Sequence, residues 1–114
     1  GRGKGLGFPT ANFLPIEKNQ LIPANGVYFI RGRINSINLY GMCNLGFRPT
    51  FDEIDFVMEV HFFNGTVNNI YGKTITVEFL ERVRDEKKFS NPKELIKQLE
   101  KDKEICMRLI QKYN

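Results

Sequence analysis

The sequence predicts one predominantly β domain of 114 residues that ends in a single helix. Stretches rich in β-branched and aromatic residues occupy most of the region between Val27 and Arg84, and residues typical of turns separate them. After Asn91, apolar residues instead recur near the 3.6-residue period of a helix. We therefore expect an all-β domain with a C-terminal α-helix over residues 1–114.

The first two predicted strands form a hairpin. Residues 27–34 follow the turn signal Asn25-Gly26, which ends a predicted surface loop over residues 14–25. A turn at residues 35–36 leads into a second strand over residues 38–46. We predict an irregular connection over residues 47–55.

The next predicted strand, residues 56–63, has the sequence FVMEVHFF. The two-residue period divides its side chains between two faces, with Glu59, His61 and Phe63 on one and Val60 and Phe62 on the other. Turns are predicted at residues 64–65 and 68–73. A further strand over residues 74–84 alternates apolar and polar residues, which predicts one solvent-exposed face.

The C-terminal helix has a recognisable start. Asn91 is the predicted N-cap, Pro92 occupies the first helical position, and Glu94 has the spacing of a capping box. The apolar stripe of the helix consists of Leu95, Leu99, Cys106, Leu109 and Tyr113. This stripe predicts a helix that covers the sheet and carries no chemistry of its own.

The first seven residues, GRGKGLG, allow two interpretations. Alternating glycines can direct several backbone N–H groups to one point, and Arg2 and Lys4 add positive charge, so the segment suits an anion. A glycine-rich basic terminus is also typical of a flexible tail. The apolar residues on both sides of Pro9, in FPTANF, favour the first interpretation.

Composition limits the function classes. The net charge of +4 and pI near 9.2 fit nucleic acid, a nucleotide or neither. No apolar run reaches the ~20 residues of a membrane span and no signal peptide pattern is present, so we expect a cytoplasmic protein without membrane partners. Cys43 and Cys106 lie in no metal-binding pattern and are predicted to be buried reduced thiols.

Glu59 is the carboxylate that stands out, because it interrupts an apolar strand. A carboxylate that faces the interior or a cleft is costly unless it is paired or used. A surface position, with His61 as its partner, is the structural alternative. We interpret His61 as a hydrogen-bonded structural residue rather than a catalytic base.

Several familiar motifs are absent from the sequence. It has no phosphate loop of the G-x-x-x-x-G-K-[ST] type, no dinucleotide-binding G-x-G-x-x-G after a strand and no G-x-S-x-G nucleophile elbow. A basic β-barrel that binds single-stranded nucleic acid remains an alternative, although most phenylalanines occupy core-like strand positions.

Five segments in order carry a resemblance to a known family: GLGFPTANF, NLGFRPTF, EVHFF, IYGKTITVEFLERVRDEKKF and the last helix with Leu95 and Asp102. Together they resemble a riboflavin kinase domain, as in the C-terminal half of bifunctional bacterial riboflavin kinase/FAD synthetase. The resemblance implies a six-stranded antiparallel Greek-key barrel with a C-terminal helix. It also implies transfer of the γ-phosphoryl group of ATP to the 5′-hydroxyl of riboflavin, giving FMN and ADP.

The resemblance also implies the site residues. Glu59 matches the catalytic carboxylate, and Thr10 and Asn12 match the residues that help to hold Mg²⁺. The ATP-binding positions include Thr10 and Asn12 as well. The full set is Gly3, Lys4, Gly5, Gly7, Pro9, Thr10, Asn12 and Tyr71. The flavin-binding positions are Arg84, Lys87 and Phe89.

Two departures from the family pattern qualify these expectations. Family members have a strand before the glycine-rich loop, so the first barrel strand is expected to be missing from this chain. Asp85 replaces a proline that many relatives have, which is expected to loosen the flavin loop. An FMN adenylyltransferase domain is a possible N-terminal neighbour, and a flavin-binding module without catalysis is the remaining alternative.

Overall fold

The computed structural model describes residues 11–13, 23–34, 36–49, 54–63 and 75–113. These residues form five strands and one helix: β1 (Ala11–Phe13), β2 (Gly26–Ile34), β3 (Ile37–Pro49), β4 (Ile54–Phe62), β5 (Thr76–Arg84) and α1 (Pro92–Tyr113). The predicted turns at residues 64–65 and 68–73 and most of the loop predicted for residues 14–25 lie outside the described residues.

The five strands form one antiparallel sheet in the order β1-β4-β3-β2-β5. Strands β2, β3 and β4 are sequential neighbours, and β1 pairs with β4, which is a Greek-key arrangement. The predicted all-β, barrel-like class with a C-terminal helix is confirmed.

The predicted hairpin is confirmed. Ile34 pairs with Ile37, which joins β2 and β3 as a hairpin. Ser36 has φ of 69°, the left-handed conformation that tight hairpin turns require. The register that follows aligns the whole of β2 with β3.

Two strand boundaries correct the sequence-based predictions. β3 continues through Phe47 to Pro49, where an irregular connection was predicted, because its last residues still pair with β4, ending with Pro49 opposite Ile54. Proline is tolerated there because the ladder ends at this pair. Residues 11–13, where no strand was predicted, form β1 because they pair with β4.

The sheet has an apolar cluster on each face. One contains Tyr28, Ile30, Cys43, Leu45, Val60 and Phe62. The other contains Phe29, Tyr40 and Met42 from the sheet and Cys106 and Ile110 from α1. The predicted role of the helix as a cover for the sheet is confirmed, and Val60 and Phe62 lie opposite to Phe63 as the two-residue period predicts.

The prediction of an exposed face on β5 is partly wrong. Val77 and Phe79 pack against the first cluster, but Leu80 and Val83 pack beneath α1 with the second. Register shifts in the pairing of β5 with β2 break the simple alternation.

Within the described ranges, no helix combines the length and the apolar character needed to cross a membrane.

The N-cap of α1 is confirmed. The backbone N–H of Glu94 donates to Asn91 Oδ1 at 2.9 Å, which satisfies one of the otherwise unpaired amides of the first turn. We expect Asn91→Ala to lower the free energy of unfolding by about 1 kcal/mol. Thermal and urea unfolding would measure the change in stability. Asn91→Ser is the matched variant, because serine keeps an oxygen that can cap the helix. Equal stability of the parent protein and both variants would contradict the role of Asn91 as N-cap.

Candidate functional site

Glu59 lies in a row of cross-strand paired residues that crosses the sheet. On one side it pairs with Asn12 of β1, and on the other with Asn44 of β3. Residues directly opposite each other in antiparallel strands share a face of the sheet. The fold therefore places one asparagine residue on each side of Glu59 in the sheet, and Glu59 itself is half-buried.

The same row continues to the far edge of the sheet. Asn44 pairs with Val27 of β2, and Val27 pairs with Arg84 of β5. Three strand spacings separate Glu59 from Arg84, about 14 Å along the sheet at ~4.8 Å per strand. One row thus joins the residue predicted to hold a metal, the predicted catalytic carboxylate and the first predicted flavin residue.

His61 lies two residues beyond Glu59 but in different surroundings. It is 7% exposed, lies opposite Met42, and meets the ring of Phe63 edge-on with 5.4 Å between ring centres. Asn44, the cross-strand neighbour of Glu59, is by contrast exposed. This difference in access favours Glu59 over His61 as the group that meets a substrate.

Arg84 is fixed by a buried ion pair with α1. Its Nε donates to both oxygens of Asp102 at 2.9 and 3.0 Å, and its Nη2 donates to Oδ2 at 2.8 Å. The Asp102 side chain is fully buried and that of Arg84 is 18% exposed. Gln98 Nε2 donates a further hydrogen bond to Asp102 Oδ1 at 3.0 Å.

The segment after β5, residues 85–89, is gathered around the same guanidinium group, and it is called the flavin loop below after the role that the family resemblance predicts for it. Arg84 Nη1 donates to the backbone carbonyl of Asp85 at 2.9 Å. The Phe89 ring has Arg84 Cζ 5.9 Å and Lys87 Nζ 5.7 Å from its centre, within the range of cation–π contacts. The three predicted flavin residues therefore lie together.

A second arginine anchors the start of the flavin loop. Arg82 donates from Nη2 to Asp85 Oδ1 at 2.6 Å and from Nη1 to the Tyr28 hydroxyl at 2.7 Å. Its guanidinium also packs on Gly26, where an added Cβ would lie 2.7 Å from Nη1. Asp85 thus has an ion-pair partner in Arg82, and the expected loosening of the loop stays a prediction.

Glu86 folds back onto the sheet. Its carboxylate packs so closely on Gly46 that a Cβ there would collide with it. Gly46 lies two residues beyond Asn44 on β3, so both occupy the same face of that strand. The flavin loop therefore reaches the face that carries Glu59.

Several predicted site residues lie outside the described residues: Gly3, Lys4, Gly5, Gly7, Pro9, Thr10 and Tyr71. For Asn12 the strand register gives its place opposite Glu59. The described part of the site thus includes Asn12, Glu59, Arg84, Lys87 and Phe89, and it joins the first three in one row.

Sequence reasoning gave no role to three residues of this site. Asn44 had no local signal, because its position depends on pairing between strands. Asp102 did have a signal, since a carboxylate between Leu99 and Cys106 falls in the apolar stripe of α1. Gln98 lies one turn before Asp102, and its role could be recognised only after that of Asp102, because its hydrogen bond is to Asp102.

The donor atoms near Glu59 suit a hard divalent cation. Amide and carboxylate oxygens are ligands that Mg²⁺ accepts, and it commonly keeps waters and substrate phosphates as its remaining ligands. Among the described residues, no cluster of three or more His, Cys, Asp or Glu could hold a metal ion. The asparagine and glutamate residue types of this row fit a cation whose remaining ligands are phosphate oxygens and waters.

The two cysteines are buried and free, as predicted. Burial raises the pKa of the Cys43 thiol to about 12, with the nearby charge of Glu59 as a smaller cause. Burial likewise raises the pKa of Cys106 to about 12, helped by Asp102. Thiols with such pKa values are poor nucleophiles at neutral pH, so neither belongs to the reactive groups of the site.

Comparisons with known proteins point to one family. The profile of the riboflavin kinase (flavokinase) family matches residues 1–110. The chain is 38% identical over 110 residues to the bifunctional riboflavin kinase/FMN adenylyltransferase of Bacillus subtilis, covering 94% of the chain and 34% of that protein. The Haemophilus influenzae protein of the same name is 40% identical over 105 residues, covering 91% of the chain and 33% of its own length.

A solved structure shares the fold. The crystal structure described as a macrolide-efflux protein from Streptococcus pneumoniae superimposes with a TM-score of 0.87 at 35% identity, covering 93% of this chain and 34% of that one. The chain spans about a third of the length of each of these three proteins.

Proposed function

The chain belongs to the riboflavin kinase family, and on this premise we propose that it transfers the γ-phosphoryl group of ATP to the 5′-hydroxyl of riboflavin. The products are FMN and ADP. The observation that supports the proposal is the row from Asn12 through Glu59 to Arg84, because one row of the sheet contains residues proposed for metal binding, proton transfer and flavin binding. A phosphoryl transfer between two bound substrates depends on positioning the substrates and stabilising the charge on the transferred group.

Glu59 is the proposed general base. Its carboxylate accepts the proton of the riboflavin 5′-hydroxyl as that oxygen attacks the γ-phosphorus, and the bond to the β,γ-bridging oxygen breaks to release ADP. The half-buried position supports this role, since the carboxylate is accessible to a substrate yet partly removed from water. Its neighbour Asn44 carries no charge that would compete for the proton.

Thr10 and Asn12 are the proposed protein ligands of Mg²⁺. When bound, the ion neutralises the charge on the ATP phosphates during transfer. Asn12 supports the assignment through its pairing with Glu59, which places its residue one strand spacing from the base. Neutral ligands suffice because the phosphates bring the negative charge.

The substrates take opposite sides of Glu59 in this proposal. Gly3, Lys4, Gly5, Gly7, Pro9 and Tyr71 surround ATP together with Thr10 and Asn12. Arg84, Lys87 and Phe89 form the flavin side, and the contacts among them within the flavin loop support that grouping.

The test is to incubate the protein with riboflavin and ATP, with and without Mg²⁺, and to measure the FMN formed by chromatography. We expect FMN only with both ATP and Mg²⁺, and loss of activity on adding EDTA that excess Mg²⁺ restores. Riboflavin binding without FMN formation would instead identify a flavin-binding module. Binding of single-stranded oligonucleotides without riboflavin binding would favour the nucleic-acid alternative, which the burial of Phe29 and Phe62 in the two cores does not support.

We also expect flavin and nucleotide binding to be coupled, because the opening glycine-rich segment and the flavin loop close on one reaction site. Saturating ADP with Mg²⁺ should tighten the binding of riboflavin. Calorimetry with and without nucleotide measures the effect, and ADP without Mg²⁺ is the control. Identical flavin affinity under all conditions would argue against a shared site.

The neighbouring domain and the cellular location of this chain are also proposals. The relatives' names include FMN adenylyltransferase, and an N-terminal domain with that activity is the proposed partner of this chain. A protein consisting of residues 1–114 alone is expected to form no FAD from FMN and ATP. We propose a cytoplasmic location, with which the two free buried cysteines are compatible.

A further inference from the structure

We propose that Asp102 is a positioning residue of the flavin site, which acts through Arg84 to hold the flavin loop in the conformation that receives the ring of the substrate. The inference rests on the proposed function and deepens it. It assigns α1, predicted only to cover the sheet, a second role in substrate binding.

The first argument is that covering the sheet does not require a carboxylate. Asp102 is fully buried in the apolar stripe of α1, where an apolar residue would pack against the sheet without any charge to desolvate. Burying a charge is costly unless it is paired and hydrogen-bonded, and apolar replacements of buried ion pairs are often no less stable. The pair therefore calls for a reason other than stability.

The second argument is the geometry of the pair. Asp102 accepts three hydrogen bonds from Arg84 and one from Gln98, so both the carboxylate and the guanidinium plane are fixed. Since Arg84 ends β5, this contact fixes the direction in which the chain leaves the sheet. Gln98 lies one turn earlier on α1 and supports the carboxylate from the helix side.

The third argument is what the guanidinium group touches on its other sides. Its remaining nitrogen, Nη1, holds the carbonyl of Asp85, and its Cζ lies 5.9 Å from the centre of the Phe89 ring. One group thus connects the helix to both ends of the flavin loop. With its charge matched by Asp102, Arg84 contributes mainly by orienting Phe89, whose half-buried ring suits the uncharged, planar part of a flavin.

The central test compares Asp102→Asn with the parent protein. Asparagine keeps the shape of the side chain but cannot match the charge of Arg84. We expect the Kd for riboflavin, measured by quenching of flavin fluorescence, to rise about 10-fold, because binding must then also order loop side chains that Asp102 no longer fixes. In steady state the KM for riboflavin should rise while the KM for ATP and the affinity for Mg²⁺-ADP stay unchanged.

Glu78→Gln is the matched control. Glu78 lies on the same strand as Arg84 and forms an ion pair with Arg31 at 3.0 Å. The substitution weakens that ion pair without touching the flavin loop. It should leave the affinity for riboflavin unchanged. A similar loss of flavin affinity in this variant would show that any disturbance of β5 has the effect, and would overturn the specific role of Asp102.

Two further variants separate positioning from folding. Arg84→Met/Asp102→Leu replaces the pair with apolar side chains, and we expect it to melt close to the parent protein yet to bind riboflavin weakly. Gln98→Ala removes a single hydrogen bond to Asp102 and should fold even if the other variants do not, with a smaller loss of flavin affinity. Parent-like riboflavin affinity in folded Asp102→Asn, or in Gln98→Ala if Asp102→Asn does not fold, would overturn the proposal.

The outcomes for the two proposals are distinct. If the parent protein forms FMN and the folded Asp102→Asn and Gln98→Ala variants bind riboflavin equally well, the role of Asp102 is wrong and the kinase function stands. If the parent protein neither binds riboflavin nor forms FMN, the proposed function fails, and the role of Asp102 fails with it.

Discussion

Replacing Glu59 with glutamine is expected to lower kcat for FMN formation by about 10²–10⁴-fold, the usual contribution of a general base. Glutamine keeps the shape and the hydrogen-bonding reach of the side chain but cannot accept the proton of the 5′-hydroxyl. The affinities for riboflavin and for Mg²⁺-ADP should therefore change little. The measurements are steady-state FMN formation and direct binding of each ligand on the same preparation.

The same variant should be at least as stable as the parent protein. Glu59 is half-buried between two strands, and removing a partly desolvated charge often relieves a cost. Thermal melting of the unliganded proteins checks this. A large drop in melting temperature would point to a structural role for the carboxylate.

His61→Ala is the comparison that decides between the two candidate bases. His61 is 7% exposed and lies opposite Met42, which packs against α1. Its removal is therefore expected to lower stability more than it lowers turnover per folded molecule. Near-normal turnover in Glu59→Gln together with loss of turnover in folded His61→Ala would transfer the role of base to His61.

The sequence predicted most of the fold because its local signals agree with the tertiary contacts. The N-cap at Asn91, the turn at residues 35–36 and the two faces of β4 all follow from patterns within a few residues. The errors occur where distant contacts decide. β1 has three residues, too few to show a period, and β3 extends to Pro49 because β4 pairs with it.

The site was predicted less completely than the fold for the same reason. Glu59 was recognisable because a carboxylate interrupts an apolar strand, but its pairing with Asn12 joins residues 47 positions apart in the sequence. Asp102 interrupts the stripe of α1 in a similar way, but its meaning depends on Arg84 of β5. Local patterns therefore mark unusual residues, whereas the register of the sheet shows which of them act together.

That register leads to a paired test of the metal side of the site. Asn12 and Asn44 pair with Glu59 from the two neighbouring strands, so Asn12→Ala and Asn44→Ala make the same substitution on the two sides of one residue. If Asn12 is a ligand of Mg²⁺, its loss should weaken Mg²⁺-dependent binding of ADP by about 10–100-fold, as is typical for groups that support a bound metal. Thr10→Ala should have the same effect.

Asn44→Ala should leave the Mg²⁺ dependence of nucleotide binding unchanged, because Asn44 lies on the side of Glu59 that leads to the flavin loop. Calorimetry of ADP binding at several Mg²⁺ concentrations compares the three variants, and thermal melting without ligand should show little difference among them. Equal losses in Asn12→Ala and Asn44→Ala would mean that the amides support Glu59 rather than the metal. A fall of many degrees in the melting temperature of Thr10→Ala and Asn12→Ala would instead make the Pro9-Thr10-Ala11-Asn12 segment structural, since a residue that only binds the metal adds nothing to the stability of the unliganded protein.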